Sequence, residues 1–312
     1  MARRGLIVAV WAALGLLPLA CTGDDEELRR TATDAAPSVA TTTGPTSTGA
    51  PEESPTATAE AAPSETADPA VIANAAGATA GAGSARVATS VTVTGPGDLK
   101  QSFGGDGEFD FDRRIGRLTL DLGDGTQGVS VTSSTVVFVD SVVYYELPAG
   151  LIPGGKRWLQ IDLQSVANAS SLDFGPLLQG SQADASQYLL WLTAVGPAVT
   201  KLGEGEVRGV PTTRYRALVD LVRLEEQAPP GREDEWRAYV ETLQGRLAVE
   251  AVPVEIWVDG DGLIRRLHLE YAFASEGSST TVTTELYDFG VQVDATAPPP
   301  GQVAVIDDFI RP

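Results

Sequence analysis

Apolar and polar side chains alternate at every second position over most of this 312-residue chain between Arg86 and Phe289. The clearest example flanks Asp259-Gly-Asp-Gly262, where residues 252–258 and 267–273 each place their apolar side chains on one face. Because successive side chains of a β-strand point to opposite faces, a period of two predicts strands with one apolar and one polar face. About ten such strands are predicted, and they are typical of an antiparallel sheet that is covered on one side.

Helical spacing replaces this alternation in three segments. Asp68-Pro69 predicts the start of an alanine-rich helix that ends near Gly77, and residues 234–247 predict an amphipathic helix. The third segment, 181–195, is apolar on nearly all sides in its second half, so it is either wholly buried or has a face that meets something other than water. A sheet of so many strands must curl, and helices are the natural cover for its concave side. The predicted fold is therefore α+β, a large curved antiparallel sheet in the form of a half-barrel wrapped over helices.

The N-terminus carries the three consecutive regions of an export signal. Arg3 and Arg4 give a positive start, an apolar run follows from Leu6 to Leu17, and Leu19-Ala20-Cys21 resembles the lipobox of bacterial lipoproteins. The apolar run has 12 residues, whereas crossing a membrane takes about 20. We therefore predict that residues 1–20 are a lipoprotein signal peptide, removed before the cysteine.

Cys21 is the only cysteine of the chain, and an exported protein with a single thiol is expected to use it. The lipobox resemblance implies that acyl chains such as palmitate are attached there. Because each buried CH2 contributes about 0.8 kcal/mol, two or three such chains anchor a protein durably. The expected location is the extracytoplasmic face of the cell membrane. An ordinary signal peptide with an incidental cysteine is the alternative.

Residues 21–69 predict a disordered tether. Thirty of the 39 positions from 31 to 69 are Thr, Ala, Pro or Ser, and no aromatic residue occurs between Trp11 and Phe103. Without large apolar side chains, nothing offsets an ordering entropy of about 1–2 kcal/mol per residue. Such a tether lets the folded part, predicted as a single domain over residues 70–312, stand away from the membrane.

Charge restricts the partners of this chain. Removal of residues 1–20 would leave 20 basic against 42 acidic side chains, a net charge near −22. A surface this acidic repels the phosphates of nucleic acids and the headgroups of anionic lipids. Nucleic acid is therefore not an expected partner, and membrane contact is expected through the Cys21 anchor or through an apolar patch.

No motif points to catalysis, a cofactor or a metal. The segments Gly123–Gly128 and Gly150–Lys156 match parts of phosphate-binding fingerprints, but strands and not helices are predicted after them. Asp259-Gly-Asp-Gly262 lacks the further oxygen ligands of a calcium loop and predicts a hairpin turn. His268, the only histidine, lies on the polar face of a strand, where neither a second histidine nor a free cysteine is available for zinc. We predict a protein that is not an enzyme and has no cofactor.

A set of short segments is informative in combination. They are Gly107-Glu-Phe-Asp-Phe111, Gly209-Val-Pro-Thr-Thr-Arg-Tyr215 with Val219-Asp-Leu221, and the hairpin from Val254-Glu-Ile-Trp-Val-Asp259 to Gly262-Leu-Ile-Arg-Arg266. Together with the lipobox and tether, residues 70–312 resemble the LppX/LprG-type lipoproteins of actinobacteria, relatives in fold of the LolA/LolB lipoprotein carriers. The resemblance implies a curved antiparallel sheet wrapped over helices, enclosing an apolar cavity that takes acyl chains.

The candidate lining of such a cavity comes from the two apolar helical segments: Tyr188, Leu189, Trp191, Leu192, Val195, Trp236, Tyr239 and Leu243. The alternative is that these side chains fill a closed core. The predicted function is a membrane-tethered lipoprotein that binds or carries a lipid, glycolipid or other hydrophobic ligand. Two other functions stay open: a non-catalytic envelope interaction or sensor module with a protein partner, and a cell-wall enzyme with an acidic pair in a cleft.

Overall fold

The computed structural model describes the folded part of the chain, in residues 65–97, 99–121, 133–162, 185–228, 233–247, 249–273 and 277–306. The predicted signal peptide, Cys21 and the tether as far as residue 64 lie outside these residues, as does the turn predicted at Gly123–Gly128. Among the helices that the structure describes, none is long and apolar enough to cross a membrane.

The described residues form one sheet of 13 strands. In chain order these are β1 Glu65–Ala67, β2 Ser84–Gly95, β3 Leu99–Asp110, β4 Ile115–Asp121, β5 Ser133–Val139, β6 Val142–Glu146, β7 Trp158–Asp162, β8 Val199–Val207, β9 Val210–Asp220, β10 Ala251–Asp259, β11 Ile264–Phe273, β12 Ser278–Tyr287 and β13 Val303–Val305. Consecutive strands pair antiparallel in two meanders, β2 to β7 and β8 to β12, which are joined by the pairing of β2 with β12. β1 lies at one edge beside β8, and β13 lies parallel to β7 at the other. The predicted antiparallel fold is confirmed, as a curved sheet that stays open.

Four α-helices accompany the sheet in the described part of the chain: α1 Ala70–Gly81, α2 Ala185–Leu192, α3 Leu221–Glu226 and α4 Glu233–Leu247. α1 packs against α2, and α3 packs against α4. Both α1 and α4 also contact β11. In α1 the buried side chains are Ile72, Ala75, Ala76 and Thr79, the three- and four-residue spacing of one helix face.

The core lies between these helices and the inner face of the sheet. Val87 of β2, Leu118 of β4 and Ile256 of β10 are fully buried, each two residues from another buried inner residue of its strand. They belong to one contiguous apolar cluster that takes in both meanders and all four helices. Phe109 and Phe138 meet edge to face in this cluster, with ring centroids 6.0 Å apart.

Thr79 is the polar link between α1 and the sheet. Its hydroxyl donates to the carbonyl oxygen of Ala75 at 2.7 Å and accepts from the backbone N–H of Ile264 at 2.9 Å. The first N–H of β11 is therefore satisfied by a helix side chain, which fixes α1 over the second meander.

The alternation predicts a polar outer face, but part of the outer face is apolar. Residues 291–299 cross the outer face of the first meander, where Val293 and Ala295 pack on Val137 of β5 in a second apolar cluster. Arg113 donates to the carbonyl oxygen of Val293 at 3.0 Å, which holds this segment in place. β5 is consequently buried on both faces, and its continuous apolar run has a structural reason.

Several element boundaries differ from those predicted. α1 continues through Gly77, because its buried face extends to Thr79. The alternation does not predict β8. Only the two end residues of β8 are buried, so backbone pairing and not side-chain burial determines that strand. The predicted hairpin turn after β10 is confirmed: the Asp259 carboxylate accepts the backbone N–H groups of residues 261 and 263.

Gly107 lies where β3 approaches β4 too closely for a side chain, since a β-carbon there would overlap the carbonyl oxygen of Arg117. We expect Gly107→Ala to lower the free energy of unfolding by about 1–3 kcal/mol in urea denaturation, because β4 must shift to relieve the overlap. Gly77→Ala is the matched control: nothing lies within 4 Å of its β-carbon, and alanine stabilises a helix by about 0.5–1 kcal/mol over glycine. Equal stability of the Gly107→Ala and parent proteins would contradict the close approach.

Candidate functional site

α2 brings most of the predicted lining residues into the core. Tyr188, Leu189, Trp191 and Leu192 lie on this helix and Val195 follows it, and all five are only 2–7% exposed. They belong to the same cluster as the inner face of the sheet. The rings of Tyr188 and Trp191 meet edge to face with centroids 6.0 Å apart, a favoured geometry for an aromatic pair.

The C-terminal end of α2 is attached to β9. The carbonyl oxygen of Ala194 accepts the N–H of Asp220 at 3.0 Å, and the N–H of Gly196 donates to Leu218 at 2.8 Å. Val195, predicted within the helix, instead forms an isolated bridge with Val219. The sequence explains this end, because Gly196 is followed by proline, which cannot continue a helix.

The α4 residues occupy another part of the same cluster. Trp236 and Leu243 are half-buried and pack against it, and the Trp236 Nε1–H donates to the carbonyl oxygen of Leu224 at 2.6 Å. The side chain of Tyr239 lies outside the described residues. α2 has α1 as its neighbour, whereas α4 packs on α3 and β11. That both groups line one cavity stays a prediction.

Three polar atoms on the core side of the sheet distinguish this layer from a purely apolar one. Trp191 Nε1, Tyr145 Oη and Thr280 Oγ1 are buried and have no hydrogen-bond partner among the residues that the structure describes. Burial raises the pKa of the Tyr145 phenol, so that this hydroxyl keeps its proton. A buried polar group left unpaired costs about 1–3 kcal/mol, and native interiors contain few of them. The layer therefore offers hydrogen bonds to a polar group bound among apolar side chains.

Tyr145 and Thr280 are not among the predicted lining residues, because both lie on strands and the predicted lining comes from the apolar helical segments. The alternation does place both on inner positions, next to Val143 and Val282 on their strands. A polar atom at an inner position is the signal that could have identified them.

The outer face of the second meander carries a network that we call the arginine ladder, made of Arg208, Arg214, Arg216, Glu255, Trp257, Arg266, Glu285 and Tyr287. Glu255 accepts from Arg214 at 3.0 Å and from Arg216 at 2.8 Å. The guanidinium carbon of Arg214 lies 5.0 Å from the centroid of the Trp257 ring, and that of Arg266 lies 5.3 Å from it. Glu285 accepts from Arg266 at 2.6 Å and from Arg208 at 2.7 Å.

The ladder changes the acidity of its two carboxyl groups. Partial burial by itself would raise the pKa of Glu255, but hydrogen bonds from Arg214 and Arg216 and their positive charges outweigh it and lower the pKa below the ordinary 4.5. The pKa of Glu285 is lowered in the same way, against the effect of burial, by Arg266 and Arg208. Both carboxylates are therefore stabilised as anions.

Two further features of the outer face bear on function. A groove of about 610 Å³ lies beside the Arg208 end of the ladder, across β12, β2, β3 and β4. His268 is on the polar face, as predicted, with its Nδ1 3.0 Å from the Thr283 hydroxyl. Within the described ranges, no group of three or more His, Cys, Asp or Glu side chains is placed to hold a metal ion.

No protein-family model matches the chain. Among curated proteins, it is similar to an uncharacterized 31.2 kDa protein from the rplA–rplJ intergenic region of Streptomyces griseus, with 30% identity over 148 residues. The match covers 46% of this chain and 47% of that protein, so the chain spans about half the length of the curated relative it matches.

Solved structures with a similar fold include lipoprotein LppX of Mycobacterium tuberculosis, 17% identical with a TM-score of 0.41, covering 73% of this chain and 100% of that one. LprF of Mycobacterium bovis is 11% identical with a TM-score of 0.37, covering 74% and 96%. A LolA-superfamily protein of Nitrosomonas europaea is 8% identical with a TM-score of 0.30, covering 70% and 93%. LppX-type lipoproteins and LolA-like proteins, the two groups of the predicted resemblance, are thus both among the structures that the chain is similar to. At these identities and TM-scores the similarity transfers no ligand and no activity.

The ladder makes stability depend on pH on the acidic side. Because the pKa values of Glu255 and Glu285 are lower in the folded than in the unfolded chain, their stabilisation is complete above the unfolded value near 4.5 and is lost as the pH falls through the folded values. We expect the Glu255→Gln/Glu285→Gln variant to have a lower urea midpoint at neutral pH and a smaller loss on acidification. Glu270→Gln, exposed on the same face of β11, is the control. An unchanged pH profile in the double variant would refute this role.

Proposed function

We propose that this chain is a non-catalytic, membrane-tethered binder or carrier of lipids or other amphiphiles, which it holds between α2 and the inner face of the sheet. The observation that carries the proposal is the Trp191 Nε1–H, buried in an apolar layer with no partner in the described residues. Acyl chains would occupy the apolar surface, and an ester or headgroup oxygen would accept from the indole. Convergent polar groups in an apolar site are typical of small-molecule binding.

Loading requires α2 to separate from the sheet, because its apolar side chains are almost completely buried. The hydrogen bonds of Ala194 and Gly196 to β9 hold the C-terminal end of the helix. We therefore propose that α2 pivots about this end. Each CH2 of a bound acyl chain that leaves water would contribute about 0.8 kcal/mol, which offsets the lost packing.

Trp191→Phe removes the indole donor and keeps an aromatic ring. We expect the variant to bind a pyrene-labelled fatty acid about two- to tenfold more weakly, the equivalent of one hydrogen bond. Without ligand it should be no less stable than the parent, because it no longer buries a donor that lacks a partner among the described residues. The matched control is Trp236→Phe, whose indole is already bonded to Leu224. That variant should lose stability and bind the probe as the parent does.

Native mass spectrometry of the parent chain from an actinobacterial host gives the independent test. A discrete, stoichiometric lipid is the expected result. A bare protein that also fails to saturate with the probe would contradict the proposal and favour the non-catalytic interaction or sensor module with a filled core.

Cys21→Ser tests the proposed tether separately. The variant lacks the thiol that would carry the acyl chains, so we expect it to move from the membrane fraction to the soluble extracytoplasmic or culture fraction. The folded domain should keep its thermal midpoint, because Cys21 is remote in sequence from the first strand. Retention of the variant at the membrane would show that another contact anchors it.

A further inference from the structure

The groove on the outer face is built from the consecutive strands β2, β3 and β4 together with β12, which is distant from them in sequence. Its floor is formed by small residues of β2 and β3, which are Ala88, Ser90 and Gly104. Its volume of about 610 Å³ is within the range of about 300–1,000 Å³ for small-molecule sites. Arg208 and Tyr287 stand on one side, and Asp106 of β3 on the other. The groove is on the opposite face of the sheet from α2.

One side of the groove is held rigid by the arginine ladder. The Nε of Arg208 donates to Glu285 at 2.7 Å, and its guanidinium carbon lies 3.9 Å from the centroid of the Tyr287 ring. Glu285 also accepts from Arg266, so it offsets only part of the positive charge of Arg208, and the terminal N–H groups of the guanidinium remain donors in a fixed plane. This side therefore presents hydrogen-bond donors and an aromatic ring.

The opposite side presents acceptors. Asp106 is exposed, and its carboxylate makes no hydrogen bond or ion pair with any residue that the structure describes. Asp121 of β4 lines the same side, so the electrostatic balance of the groove is negative. An anionic ligand is repelled there. Hydroxyl groups suit both sides, since they donate to carboxylates and accept from a guanidinium.

From these observations we propose that the outer groove binds a neutral carbohydrate chain. Its hydroxyl groups donate hydrogen bonds to Asp106 on one side and accept them from Arg208 on the other. The small residues at positions 88, 90 and 104 leave room for the sugar rings. The site is independent of lipid binding. It would let a tethered protein contact a surrounding glycan while the other face of the sheet carries its ligand.

The test uses the exported chain with Cys21→Ser and a panel of neutral tetrasaccharides built from N-acetylglucosamine, glucose, mannose and arabinose. Titrations are followed by the backbone amide NMR signals. We expect saturable shifts centred on residues 88–90, 104–106 and 208 for at least one sugar. A hyaluronan tetrasaccharide, which is anionic, should bind at least tenfold more weakly. If no neutral sugar saturates, or the shifts lie elsewhere, the proposal is wrong.

Two pairs of variants separate the groove from the rest of the sheet. Ser90→Trp fills the floor and should weaken sugar binding at least tenfold, whereas Ala272→Trp, on the outer face of β11 outside the groove, should not. Asp106→Asn keeps the shape and should weaken binding about fivefold, with Glu270→Gln as the control. All four should still bind the fatty-acid probe, so failure here is distinguishable from failure of the lipid proposal. Equal sugar binding by Asp106→Asn and Glu270→Gln would overturn the assignment.

Discussion

The pairing of β2 with β12 is the interaction on which the rest of the structure depends. It joins residues about two hundred positions apart in the chain. For example, the hydroxyl oxygens of Thr89 and Thr284 lie 3.4 Å from each other. Closing so long a loop has an entropic cost that grows only slowly with length, and the inner pairs Val91 with Val282 and Val87 with Leu286 offset it by burial. Without this pairing there would be two separate meanders, neither wide enough to enclose the helices. The outer groove exists only because these strands are neighbours.

The register of the same strands determines two surfaces at once. A shift of one residue would exchange the inner and outer side chains of a whole strand. The outer positions of β9 to β12 carry charges in complementary pairs, as in Arg216 opposite Glu255 and Arg266 opposite Glu285. Such pairs add to the preference for the native register, because in a slipped sheet the apolar core would receive guanidinium and carboxylate groups.

Alternation predicts most of this sheet because a half-covered strand cannot avoid it, and β2, β4 and β10 follow it closely. It fails for β8, where Gly203 and Gly205 interrupt the pattern and the register shifts. The burial of α2 follows from its composition. That the indole N–H of Trp191 has no hydrogen-bond partner among the described residues, in contrast, depends on which side chains surround it in three dimensions. The groove could not be predicted either, because Ala88 and Tyr287 become neighbours only through long-range pairing.

The position of β1 has a mechanical consequence. β1 is the first strand of the sheet, it pairs with β8 over only three residues, and it lies at the edge farthest from β13. Tension on the chain from its N-terminal side therefore reaches β1 first and α1 next. β1 is a peripheral element, whereas α1 is held in the core by Ile72 and by the hydrogen bond of Thr79 to β11, so β1 detaches first. Under such a load the edge strand would therefore separate from β8 first, which would release a short segment of chain and leave the rest of the sheet intact.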